Sequence, residues 1–201
     1  IVKVEGGYHG HHDEVMVSNK PPLDLAGPAD APHSVPQSGG ISPGLLGEVT
    51  VVPYNDLAAL ERVLAPGDVA AFIVEPVMEN IGICLPDEGY LQAVRDLTAK
   101  YGTLLIFDEV KTGLTAGYGG ASRHFGIEPD LITLAKSIGG GFPVGAFGGK
   151  AEYMDLISQG KVLHLGTYNG NPLVMAAARA TLTQACTPQA IDAAIALNTR
   201  L

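Results

Sequence analysis

Three apolar runs in this chain end on residues that can do chemistry. VAAFIVEPV (69–77) carries Glu75, TLLIFDEV (103–110) carries Asp108 and Glu109, and LITLAKS (131–137) carries Lys136. Continuous apolar runs of this kind read as strands covered on both faces. In sheets made of such strands, ligands bind outside the carboxyl ends. The order of residues therefore places acids and one lysine at a common sheet edge. Any one of them alone reads as a strand-end group that meets solvent or a helix N-terminus. Together they ask for a ligand.

Lys136 is followed at once by Gly139, Gly140 and Gly141. A phosphate-loop lysine needs its glycines before it, in the pattern GxxxxGK, so that reading fails. A salt bridge would explain the charge but not the glycines. A Schiff-base lysine explains both. A partly desolvated amine is a nucleophile for an aldehyde, and glycines let a flat cofactor approach the backbone. An aspartate on a neighbouring strand end fits the pyridine nitrogen of pyridoxal phosphate, where a carboxylate keeps that nitrogen protonated. Asp108 and Lys136 divide the work in that way.

The elements that would hold these residues alternate. Ile1–Glu5 and Glu48–Val52 read as short strands, and residues 19–47 as a long Pro- and Gly-rich loop. Asn55 or Asp56 can cap a helix over Leu57–Leu64. Helical spacing over Pro86–Lys100 stops at Gly102. A short helix is expected over 120–128, strands over Leu131–Ala135 and Val144–Gly148, and helices over Tyr153–Ser158 and Pro172–Gln184. The fold class is α/β, a mostly parallel sheet with helices on both faces.

Composition narrows the function classes. The 201 residues are 46% hydrophobic and carry a formal net charge of −9. That supports a sizeable core and argues against a nucleic-acid binder, which needs a basic face. No apolar run approaches the roughly 20 residues that span a bilayer, and the first residues do not read as a signal peptide. Cys84 and Cys186 lie among apolar residues and read as buried free thiols, which fits a reducing cytoplasm. The chain opens on a strand and closes inside a helical pattern, as a piece of a longer protein would.

Five stretches carry a family likeness: YHGHHD, IVEPVMENIG, LLIFDEVKTG, PDLITLAKSIGGGFPVGAFGG and GTYNGNPL. In order and spacing the chain resembles the class III, fold type I, pyridoxal-phosphate aminotransferases. Within them it leans to glutamate-1-semialdehyde 2,1-aminomutase and its aminotransferase relatives. The resemblance implies the large-domain fold of that class and pyridoxal 5'-phosphate as cofactor. It implies Lys136 as the Schiff-base lysine and Asp108 as partner of the ring nitrogen. Val110 would pack on one ring face and Tyr8 on the other, with His9 shaping the pocket. Glu75 and Asn80 would lie near the phenolic oxygen or the substrate entrance. Thr167 resembles the threonine that reaches the cofactor phosphate of a neighbouring subunit, which implies a homodimer with shared sites. Residues 1–201 would be the central part of the large domain. A Ser-Gly-Thr phosphate segment would precede it and a small domain would follow, and the piece alone is not expected to be active.

The resemblance implies amine and carbonyl substrates exchanging an amino group. Departures from the pattern lie around the site. Lys111 stands three residues after Asp108, where Met or Gln is common. Leu114-Thr115 replace a Phe-Arg pair, and Tyr168 replaces a Leu. These put the aminomutase substrate in doubt and favour an aminotransferase. Two readings of another class remain beside it. His9, His11, His12 and Asp13 have ligand-type side chains at a spacing that can hold zinc; a solvated turn is the plainer account. A truncated, non-catalytic family member is the other. GGGFPVG lacks the GxGxxG spacing of a dinucleotide fold.

Overall fold

The computed structural model describes residues 1–198. The chain divides into two compact units, Ile1–Asp108 and a second beginning at Glu109.

The first unit is a parallel sheet in the order β2-β1-β3-β4. Its strands are β1 (Val2–Val4), β2 (Thr50–Val52), β3 (Ala71–Val74) and β4 (Leu104–Asp108). Three helices accompany them: a four-residue turn α1 (Pro43–Leu46), α2 (Leu57–Leu64) and α3 (Tyr90–Lys100). Asp56 caps α2, accepting the Ala59 N–H at 2.9 Å, which satisfies one of the orphan donors of the first turn. Midway along α2, Glu61 accepts from Lys100 Nζ at 2.8 Å and Tyr101 Oη at 2.9 Å, which ties α2 to the end of α3. Val2, Val4, Leu60, Leu64, Phe72, Val74, Val94, Leu105 and Phe107 are wholly buried. These side chains come from three strands and both long helices, so one apolar core holds the strand ends in place.

The strands differ in cover. All three residues of β1 are buried; Lys3 bonds the Val17 carbonyl and Asn19 Oδ1 of a loop that covers its face of the sheet. β3 alternates instead, with Phe72 and Val74 buried while Ala71 and Ile73 are half-buried. The expected burial of this run on both faces is therefore met on one face only. The strand is also shorter than the apolar run. It stops before Glu75, whose carboxylate turns to bond backbone N–H groups of neighbouring loops.

The second unit holds an antiparallel pair, β5 (Leu131–Ala135) and β6 (Gly145–Gly149), registered from Leu131 opposite Gly149 to Ala135 opposite Gly145. Its helices are α4 (Thr112–Thr115), α5 (Gly120–Phe125), α6 (Ala151–Ser158), α7 (Pro172–Ala180) and α8 (Pro188–Asn198). α7 runs on into one wide turn over Thr181–Ala185, so the helical stretch expected to Gln184 changes its winding after Ala180. Leu163, Leu165 and Tyr168 are each at least 80% exposed. The architecture is α/β with a mostly parallel sheet, as the alternation of elements implied. No described helix is long and apolar enough to cross a membrane. Both cysteines are free thiols, but Cys84 is exposed. Its backbone pairs with Met78 in a bridge while its side chain faces out, which corrects the expectation that it is buried.

Candidate active site

In the first unit the turn after β1 and the ends of β3 and β4 meet. Asp108 closes β4 and is buried. The Nδ1 of His9 stands 2.7 Å from Asp108 Oδ2, and the His9 side chain is 1% exposed. Its other ring nitrogen, Nε2, is buried with no partner. Glu75, also buried, accepts the backbone N–H of Tyr8 at 3.0 Å and of Glu79 at 3.2 Å. Asn80 Nδ2 donates to the Gly6 carbonyl at 3.0 Å. Tyr8 is half-buried, its ring meeting His11 edge-on with centroids 6.0 Å apart. Thus five of the residues singled out from sequence, Tyr8, His9, Glu75, Asn80 and Asp108, come together around one turn. Glu75 and Asn80 do so through the Gly6–Tyr8 backbone, so both hold the turn in shape.

The remaining three, Lys136, Val110 and Thr167, belong to the second unit. β5 ends in extended Ala135, and Lys136 then turns to φ +51° and opens a 3₁₀ turn over Lys136–Gly139. A positive φ costs a residue with a Cβ about 1–2 kcal/mol, and such strain gathers at functional positions. Lys136 is exposed; the sequence had suggested a partly desolvated amine. All of β5 is half-buried rather than enclosed, which leaves the amine at an open edge. Val110 is half-buried just past the strand end.

The glycines after Lys136 serve the fold first. A Cβ on Gly139 would come within 2.7 Å of Val144 Cγ1, and one on Gly140 would strike Thr181 Oγ1. Only Gly141, at φ +97°, faces open space among these three. Two of them are thus required by the protein's own packing, not by approach of a ligand.

Thr167 is exposed at the start of the turn Thr167–Gly170. Asn171 then caps α7, accepting from Leu173 N at 3.1 Å and Val174 N at 3.3 Å. A groove of about 880 Å³ lies in this unit, lined by Ile138, Val144, Phe147, His164, Tyr168 and Met175. The turn of Lys136 and the turn of Thr167 therefore border one groove through Ile138 and Tyr168.

Glu109, the second acid of the FDEV run, has a different task. Its carboxylate is buried and accepts from Ala121 N at 2.6 Å, Ser122 N at 2.8 Å, Thr112 Oγ1 at 3.1 Å and Ser122 Oγ. It serves the N-terminus of α5, where backbone donors and the helix dipole favour an anion. Sequence reading missed Lys3, whose side chain is wholly buried beneath the same turn as Tyr8. Among the described residues no group of His, Cys, Asp or Glu is arranged to hold a metal. His9 is engaged with Asp108 and His12 with Glu14.

The whole of residues 1–201 matches the model of the class-III aminotransferases. The chain belongs to that family. It is 51% identical over 183 residues to glutamate-1-semialdehyde 2,1-aminomutase of Methanocorpusculum labreanum, covering 90% of this chain and 43% of the relative. Among solved structures it superposes on an omega-transaminase from Sphaerobacter thermophilus with a TM-score of 0.84 at 36% identity, covering 94% of this chain and 44% of that one. A glutamate-1-semialdehyde aminomutase from Pseudomonas aeruginosa, solved in complex with PMP, gives 0.75 at 33% identity, over 94% and 42%. The chain thus spans less than half the length of the relatives it matches.

The residues present suit the cofactor of this family. A buried carboxylate backed by a buried imidazole can hold a protonated ring nitrogen, and an amine at an open strand end can condense with an aldehyde.

Proposed function

We propose that this chain is the central part of the cofactor-binding large domain of a pyridoxal-phosphate-dependent aminotransferase. The enzyme moves an amino group from a small amine to a carbonyl acceptor. The observation that carries the reading is the setting of Lys136: an amine held in a strained turn at a strand's end, in a chain of this family. When bound, the cofactor supplies an aldehyde and an electron-withdrawing ring. Lys136 Nζ would hold the cofactor at its aldehyde carbon and, as a free amine, would carry the proton between carbon atoms. Asp108 keeps the ring nitrogen protonated, and the His9 contact of 2.7 Å fixes the direction of its carboxylate. Tyr8 and Val110 pack on the two ring faces. Glu75 and Asn80 set the backbone that presents Tyr8 and His9. Thr167 contributes to the phosphate site of a second subunit, so the active form is a homodimer with shared sites, in the cytoplasm.

Glutamate-1-semialdehyde 2,1-aminomutase activity is the second reading, favoured by the 51% identity to a relative of that name. Lys111, Leu114-Thr115 and Tyr168 weigh for the first. The test gives the full-length protein, loaded with pyridoxal phosphate, two assays. One supplies glutamate-1-semialdehyde alone; the other supplies an amine donor with and without a carbonyl acceptor. Turnover that requires both donor and acceptor is expected. Isomerisation of the semialdehyde with no second substrate would assign the protein to the aminomutases instead.

A further inference from the structure

Lys3, in the middle of β1, is wholly buried, as Phe72 and Phe107 are in the same unit. Its ammonium meets four oxygens: Val17 O at 2.6 Å, Gly7 O at 3.0 Å, Asn19 Oδ1 at 3.1 Å and Val4 O at 3.2 Å. Burying a cation costs several kcal/mol, and an apolar side chain of the same size would pack here at less cost. What the cation adds is direction. It draws the Gly7 carbonyl and the Val17–Asn19 strap to one point. The same turn is held from its other side by Glu75 on Tyr8 N and by Asn80 on Gly6 O. Gly6 N bonds Ser18 O at 2.8 Å and Gly7 N bonds Val4 O at 3.1 Å. The backbone that delivers Tyr8 and His9 is thereby fixed at each step.

Resting on the cofactor reading above, we propose that Lys3 is a positioning residue for the Tyr8–His9 face of the site, acting through the Gly7 carbonyl. It touches neither cofactor nor substrate. The charged groups facing it are Glu75, at the end of β3, and Glu5, at the end of β1; the strap offers only uncharged oxygens. Burial pulls the amine from 10.5 down to about 8, while Glu75 and then Glu5 pull the other way. One pH effect follows. The unfolded chain binds more protons between about 8 and 10.5. The global penalty of burying Lys3 is thus full below 8 and is relieved as pH rises through that window. An opening of the turn that releases the amine to solvent obeys the same linkage, so the turn is held more firmly as pH rises from about 8 to 10.5.

The experiment uses full-length protein, cofactor-free and then with pyridoxal phosphate added. Amide hydrogen exchange over residues 6–9 is measured against pH, corrected for intrinsic rates, in wild type, Lys3→Met and Asn19→Ala. Methionine fills the same space without a donor, and Asn19→Ala leaves the lysine buried with one acceptor fewer. In wild type, exchange at this turn, after that correction, should slow as pH passes about 8. In Lys3→Met it should be roughly tenfold faster and independent of pH, with a weaker visible dichroism from added cofactor. Asn19→Ala should fall between and decides the matter should Lys3→Met not fold. Wild-type protection and dichroism in both variants, or a pH-independent wild type, would overturn the proposal. Exchange is read without cofactor, so a protein that binds no pyridoxal phosphate would refute the functional reading while leaving the role of Lys3 in the turn measurable.

Discussion

At the scale of the residue, the decisive feature is one φ angle. Lys136 sits at +51°, a conformation in which glycine is at ease and lysine is not. The chain retains a strained lysine where a glycine would be more stable, which agrees with the chemical role proposed for it. The consequence is measurable. In cofactor-free protein, Lys136→Gly should be more stable than Lys136→Ala by about 1 kcal/mol, by urea denaturation, and both should lack turnover. Equal stability of the two variants would show that the turn relaxes and the strain is not held. Lys136 was legible from sequence because an amine after an apolar run, before three glycines, has few structural uses. Its strain was not legible, since it belongs to a turn whose glycines Gly139 and Gly140 pack against Val144 and Thr181.

At the scale of the element, the helix following Glu109 depends on a buried acid. Gly120, at φ +70°, lies so close that a Cβ there would strike Glu109 Oε2. Gly120→Ala should therefore displace the carboxylate, strain the backbone and leave N–H donors of α5 unmet, at a cost of about 3 kcal/mol. Denaturation of the full-length protein checks this, and a variant as stable as wild type would contradict the cap. Sequence pattern located β5 to the residue and α2 with Asp56 as one of two cap candidates, because strand runs and N-caps are local signals. It placed the start of α3 at Pro86, whereas the helix begins at Tyr90 after Gly89 in the left-handed region. Glu109 looked like a second ligand-edge acid because its donors lie 12 and 13 residues further on. Lys3 escaped notice for a like reason. A lysine between two valines reads as the outward member of an alternating strand, but the Val17–Asn19 strap covers that face and all three residues of β1 are buried.

At the scale of the whole molecule, the fold class and the family were both legible, since five separated motifs and the alternation of strands with helices agree. The shape of the groove in the second unit was not, because it is lined by residues from Ile138 to Leu182 drawn from several elements. The chain presents Asp108 with His9 in one unit and Lys136 in the other. The functional account stands only if the lysine carries the cofactor in the complete enzyme. The most direct measurement is borohydride reduction of the full-length protein with pyridoxal phosphate, followed by peptide mapping. The account predicts a reduced pyridoxyl group on the peptide containing Lys136 and its loss in Lys136→Ala. Protein that takes up the cofactor yet yields an unmodified Lys136 peptide would contradict it.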